Sequence, residues 1–389
     1  MQIDFHYYAT YCAAFLAGYT PEEARDISYS DQFVDQCTRT FLTTIKGPLA
    51  AATTQLALEM LDARTDVVGL QDITRIWASF HFLPYDLHAE VKKGSANYKN
   101  KMRLICNSNG ALVADTVEIA KGHGLQAAGL AMHVLADTWA HKYFAGTPSM
   151  VINNTDSYFF ELLPGENGKE IKKQIIFSHS PSRGDDLEVY EFMASMRRSN
   201  ENSIMNLGHG RAGHLPDYSF IRYRYLPAWA NFKTVDKDNP SDFYHAFCQV
   251  VYALKYLRGE NPAFETNQYD WDAVAPWEEE IREILCKRQI DSCADWKALG
   301  EKMTGTALRD FDVDRYKQEY MDAPKEEKKH TFLGRFFLAA MRQKSMVVYR
   351  IFKTGNLLAG VSEEFKEKGF RGMDDFAQLI EDEGEEEQA

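Results

Sequence analysis

Three residues at four-residue spacing, His133, Asp137 and His141 in HVLADTWAH, bring two imidazoles and a carboxylate toward one point. At about 100° per residue, positions i, i+4 and i+8 fall within roughly an 80° arc of a helix face. That arrangement suits a borderline divalent metal ion. The flanks, GLQAAGLAM before and KYFAG after, are small or apolar, so this helix should be central. A buried carboxylate there needs a counter-charge, and a metal ion supplies one. The competing reading has no ion: His133 and His141 flank Asp137 in a hydrogen-bonded core network.

Other segments add candidate ligands. Asp4 and His6 open the first helix, where they could equally form a polar pair at a helix end. Asp31 and Asp35 share a face at i, i+4 on the next helix, an unfavourable pairing unless a cation lies between them or one faces water. Asp35, among Phe33, Val34 and Cys37, is the expected inward one. His81 sits in the aromatic run WASFHFLP, as a ligand or as a satisfied core histidine. The segment GHGRAGHLPD places His209, His214 and Asp217 within nine residues of a glycine-rich loop, which is hard to explain as packing. Arg211 in that loop reads as a surface charge. HExxH, GxSxG, Walker A and adjacent His-Asp motifs are absent. His88, His123, His179 and His245 stand alone and read as structural or surface residues.

The elements that must position these residues read as helices. Residues 4–17 have helical apolar spacing with Gly18 placed to end them. Thr20-Pro21-Glu22-Glu23 then supplies an N-cap, a first-turn proline and carboxylates at the positive end. Further helices are expected near 49–63, 69–80, 113–121, 124–145, 185–204, 241–258, 275–287, 294–304 and 331–357. Lys173 to Ser178 is the best strand candidate; residues 92–110 and 146–184 read as irregular. The fold class expected is all-α, a multi-helix bundle with a helical C-terminal extension. Ten of the eleven histidines lie at or before residue 245, so imidazole chemistry belongs to the first two-thirds. The expected division is a metal-site domain over 1–260, a helical cap over 261–380 and an acidic, disordered tail over 381–389.

Composition bounds the function. The 389 residues are 45% hydrophobic and 26% charged, which excludes a disordered chain, a collagen and a disulfide scaffold. A net charge of −13 argues against nucleic acid held by phosphate neutralisation. Six scattered cysteines read as reduced thiols of a cytoplasmic chain. The N-terminus has no secretory pattern, and no apolar run is long enough to span a membrane.

Two resemblances follow from these residues. The order His6, Asp35, His81, His133-xxx-Asp137, His141 and then a histidine with an acidic partner resembles the zinc-dependent phospholipase C and single-strand-specific nuclease superfamily. Separately, DFHYYATYCAAFLAGYTPEEA, AMHVLADTWAHKYFAG and GHGRAGHLPD look like a bacterial family of unknown function, over roughly the first 250 residues. The first resemblance implies a zinc phospholipase C-like bundle in which His81, His133 and Asp137 bind one metal. It further implies that His141, His209 or His214, and Asp217 bind a second, that His6 joins a third by sharing Asp137, and that Asp35 orients a water. That superfamily's N-terminal Trp has no counterpart, since residue 1 is Met, and Asp4 is the candidate substitute. His214 and Asp217 are also three residues apart, on a proline-containing loop, where the superfamily spaces four on a helix.

The expected activity is hydrolysis of a phosphoester by metal-activated water. Two or three zinc ions are expected, with manganese or iron as alternatives. The rival is a non-catalytic binding or scaffolding protein with a structural metal or a hydrogen-bonded His/Asp core. It would meet a protein partner through the aromatic stretch 218–229 or the C-terminal helices.

Overall fold

A π-helical turn, Asp4–Ala9, runs directly into helix α1 (Thr10–Leu16), and every residue of that turn is buried. Gly18, at φ 87°, ends the helix as its position suggests. Helix α2 (Pro21–Phe33) starts with a complete capping box: the Glu23 amide donates to Thr20 Oγ1, and the Thr20 amide donates to the Glu23 carboxylate at 2.9 Å. Later helices include α3 (Val67–Phe80), α4 (Ala111–Ala120), α5 (Gly124–Ala140), α6 (Asn239–Leu257) and α7 (Phe332–Lys353). This computed structural model describes residues 1–63, 67–149, 151–155, 158–165, 169–178, 189–191, 207–209 and 212–360.

Helix α5 is the axis of the molecule. Residues Gln126 to Ala140 are all buried, because α2, α4, α6 and α7 pack around it. Outside the His133, Asp137 and His141 face it has no polar stripe, and so apolar a helix stays in water only at a cost. Gly129 sets the spacing to α2. A Cβ there would lie 2.1 Å from the Ile27 carbonyl oxygen and 2.7 Å from Ser30 Cβ. Helix α7 closes the same core from the other side, with Phe336 edge-on to Phe33.

The fold is mixed α and β, which corrects the all-α expectation. Strands β1 (Phe160–Pro164), β2 (Glu170–Gln174), β3 (Ile176–Ser178), β4 (Val189–Glu191), β5 (Arg222–Tyr225) and β6 (Val235–Asp238) are present. Four form an antiparallel sheet in the order β2-β1-β5-β6, with Glu161 opposite Tyr223 and Arg222 opposite Asp238. β3 and β4 pair in parallel. The RYRY alternation of β5 drives Tyr223 and Tyr225 into a second apolar core with Phe82, Phe144 and Phe159 and leaves the arginines on the opposite face. The candidate strand 173–178 is split at Ile175 between β2 and β3. The helix expected over 185–204 falls largely outside the described residues, and its part at 189–191 is strand. The acidic residues 381–389 also lie outside them.

Within 92–110 a short helix, Ala96–Met102, carries no buried residue. Among the described residues no helix is long and apolar enough to cross a membrane.

Candidate metal centre

Five segments converge at the middle of α5. The π-helical turn brings His6 and the α-amino group of Met1; α2 and the turn after it bring Asp31 and Asp35; the residue following α3 is His81. Helix α5 supplies His133 and Asp137, with His141 at its C-cap. A 3-10 turn, Leu215–Asp217, closes the 207–217 loop and brings His209, His214 and Asp217. Gly208 and Gly213 sit at φ 65° and 53°, which lets the loop fold tightly against Phe82.

Asp137 is the hub. Its Oδ1 lies 2.6 Å from the Met1 amino group and 3.2 Å from His6 Nε2. Its Oδ2 lies 3.3 Å from His81 Nδ1 and 3.2 Å from His133 Nε2. Asp35 Oδ1 stands 3.8 Å from each of the same two nitrogens. Asp217 is the second hub: His141 Nε2 is 3.1 Å from its Oδ1, while His214 Nδ1 at 3.0 Å and His209 Nε2 at 3.4 Å face its Oδ2. The Met1 amino group bridges the two hubs, 3.3 Å from Asp217.

Outer partners decide which imidazole nitrogens are bare. His81 Nε2 is 3.0 Å from the Thr53 carbonyl, and His141 Nδ1 is 2.6 Å from the His81 carbonyl. A carbonyl only accepts, so those nitrogens carry the protons. His133 Nδ1 donates in the same way to Asp31 Oδ1 at 3.2 Å, and Asp31 Oδ2 accepts from Thr10 Oγ1 at 2.6 Å. His81 Nδ1 and His133 Nε2 of the neutral rings therefore present lone pairs to each other at 3.3 Å. With Asp137 Oδ2 and Asp35 Oδ1 they make four acceptors and no donor around one point. Ligands at about 2.0–2.1 Å around tetrahedral zinc stand about 3.3–3.4 Å apart, close to the 3.2–3.8 Å between these atoms. Such a group demands a cation, either a proton or a metal. Three sets of side chains here could hold a metal ion: His6, Asp31 and His133; Asp35, His81 and His133; His141, His209 and Asp217.

The electrostatics carry the same strain. Burial lowers His133, but Asp137 and Asp35 outweigh it and hold the ring up to about 10. Burial pushes His81 down, and pushes His209 down to about 3 against the pull of Asp217. Burial alone would raise Asp137 and Asp217, yet the surrounding imidazoles and the Met1 amino group hold both well below the usual carboxylate range.

Two members of this centre escaped the sequence reading. Asp31, read as the outward carboxylate, is fully buried, whereas the Asp35 side chain is 29% exposed. The Met1 amino group occupies the place considered for Asp4. Asp4 itself turns away, accepting from Ser292 Oγ at 2.6 Å and from the Phe5 amide. The signal for Asp31 was its i, i+4 partnership with Asp35, both of which the centre uses. His245 stacks on Trp139, outside the cluster. His179 and Arg211 lie outside the described residues.

A family of unknown function, DUF6765, matches residues 1–351. The chain belongs to DUF6765. The likeness seen over roughly the first 250 residues thus extends through most of α7, so the C-terminal helices are part of the family's common unit. No curated protein and no solved structure matches the chain, and nothing found links DUF6765 to the phospholipase C and nuclease superfamily. In this DUF6765 chain three side chains of the centre keep contact with solvent: Asp35, His209 and His214 are 29%, 20% and 26% exposed.

Proposed function

We propose that this chain is a metal-dependent phosphoester hydrolase. The observation that carries the reading is the convergence of four atoms, from His81, His133, Asp137 and Asp35, that present only lone pairs to one point while both rings are neutral. Zinc suits a set of imidazoles and carboxylates at tetrahedral spacing, with manganese or iron next. His81, His133 and Asp137 would hold the inner ion. His141 and Asp217, with His209 or His214, would hold an outer one, and His6 would share Asp137. Bound metal supplies a water of lowered pKa and a positive charge against the phosphoryl oxygens. Asp31 locks His133 so that Nε2 faces inward, the usual task of a carboxylate behind a metal-binding imidazole. Asp35, whose side chain is 29% exposed, would accept a hydrogen bond from that water and so aim it. The order of these residues is similar to that of the zinc phospholipase C and nuclease superfamily, which adds support. Free thiols and a net acidic chain fit the cytoplasm and a small or lipid phosphoester better than long nucleic acid.

A second reading has its own observation. The Met1 amino group, 2.6 Å from Asp137, already offsets part of the carboxylate charge, as a metal-free scaffolding core would require. Elemental analysis of purified protein separates the two. The hydrolase reading expects one to three transition-metal ions per chain, two by preference. Protein of native stability that holds none, and takes up none on titration with zinc, overturns it.

A further inference from the structure

Lys92, Lys93, Lys99, Lys101 and Arg103 fall within twelve residues that contain no carboxylate. They surround the short helix Ala96–Met102, which buries no residue. None of the five makes an ion pair with a carboxylate among the described residues. Arg103 gives its Nε to the Ala89 carbonyl instead. Lys353, the last residue of α7, is exposed and lies over the Tyr349 ring, again with no carboxylate partner among the described residues. A chain of net charge −13 thus carries a local surface of the opposite sign.

Exposed aliphatic side chains adjoin this surface. Val67 and Val68, at the start of α3, are 69% and 70% exposed, and Leu357 is 51% exposed. Hydrogen bonds place them beside the cations. Gln71, one turn after Val67, donates to the Leu357 carbonyl at 3.1 Å. Asn356, three residues after Lys353, donates to the Asn100 carbonyl of the basic helix at 3.0 Å. The start of α3, the end of α7 and the basic helix therefore meet around residues 356–357. Acidic side chains at the margin are already engaged: Asp72 pairs with Arg39 and Arg75, and Asp115 pairs with Arg350. The net field of this face is positive.

We propose that this face docks the protein on a bilayer that contains anionic phospholipid. A cluster of four to eight lysines and arginines is the usual electrostatic match to acidic headgroups. Aliphatic side chains beside such a cluster enter the boundary between headgroups and acyl chains, where they leave water. The cations alone would suit nucleic acid equally well. The aliphatic side chains decide the matter, because a phosphate backbone offers Val67, Val68 and Leu357 nowhere to be buried, whereas a bilayer buries them and pairs the lysines together. Docking of this kind needs no membrane-crossing helix, and among the described residues there is none. The proposal is independent of the metal centre.

Co-sedimentation of the full-length chain with vesicles tests it. One set of vesicles is phosphatidylcholine alone; the other contains about one-third phosphatidylserine. The expected result is binding to the second set, at least about tenfold weaker on the first. Salt at about 0.5 M should weaken it by a similar factor. A chain carrying Lys92→Glu, Lys93→Glu, Lys99→Glu and Lys101→Glu should lose at least about tenfold in binding to the acidic vesicles. The pair Val67→Ser and Val68→Ser, at positions that contribute little to the core, should keep the melting curve of the parent and lose at least about threefold. No binding to the acidic vesicles overturns the proposal, as does binding that charge reversal leaves unchanged. Full binding by the serine pair overturns it too, because the aliphatic side chains would then not enter the bilayer. Single-stranded DNA held more tightly than the vesicles, and released by the same four lysine changes, would assign the cations to nucleic acid instead.

Discussion

Asp137 has more neighbours than one carboxylate can satisfy by hydrogen bonding. Five groups approach it: the Met1 amino group, His6, His81, His133 and, at 3.6 Å, His141 Nδ1. In the neutral rings the His81, His133 and His141 protons already belong to other acceptors, so those contacts are electrostatic. Replacing Asp137 with Asn keeps the shape and one acceptor oxygen but removes the charge and turns an amide donor toward bare nitrogens. The hydrolase reading expects metal content to fall by half or more and activity on a chromogenic phosphodiester to drop by about 10²-fold or more. A hydrogen-bonded core expects a different result: a loss of about 1–3 kcal/mol in stability with metal content unchanged. Metal analysis and a melting curve on this one variant decide between them, and the second outcome removes Asp137 from any metal site.

Helix α5 brings its own requirement: α2 must lie almost against it for Asp31 to reach His133. Gly129 makes that approach possible. Gly129→Ala would set a methyl group 2.1 Å from the Ile27 carbonyl, so α2 must move back. Overpacking of this kind costs about 1–3 kcal/mol, against the roughly 1 kcal/mol that alanine ordinarily gains over glycine in a helix. The expected outcome is lower stability in urea together with weaker zinc binding, because the shift carries Asp31 away from His133. A variant at least as stable as the parent would show that the contact is not tight in solution. How far these elements can be read from sequence follows from the range of the forces that fix them. The His133, Asp137 and His141 face is local, set by helical periodicity, and is plain in the sequence. Helix α2 ends at Phe33, so Asp35 lies beyond it and reaches back over the helix end while Asp31 points inward. Treating both as residues of one continuous helix forced a choice between them that the fold does not make. The sheet was hidden for a different reason. Its strands are four or five residues long, and β1 pairs with β5 about sixty positions away, so the deciding contacts are non-local and the short alternations carry little periodic signal.

At the scale of the whole molecule, the C-terminal third holds the outer shell of the centre. On α7, Gln343 donates to the Ser79 carbonyl at 3.1 Å, two residues before His81. Next to it, Lys344 donates to the Ala52 carbonyl at 2.9 Å, one residue before the Thr53 carbonyl that fixes the His81 ring. The geometry of the His/Asp centre around His81 thus depends on a helix more than 250 positions away, in keeping with a family match that runs to residue 351. Lys344 is only 9% exposed, and burial pushes it down to about 8 from an ordinary 10.5. Between those values the unfolded chain holds a proton that the folded chain has lost, so stability rises with pH across that window and is unaffected by this group below it. The whole rise amounts to about 3 kcal/mol at about 1.4 kcal/mol per pH unit. Lys344→Met keeps the apolar stem without the titrating group. Urea unfolding of parent and variant from pH 7 to 10.5 should find the parent gaining about 3 kcal/mol relative to the variant, nearly all of it above pH 8. Tyrosines that titrate in the same range cancel in the comparison. Parallel curves for the two proteins would mean that Lys344 reaches water and does not pin the Ala52–Thr53 segment against the centre.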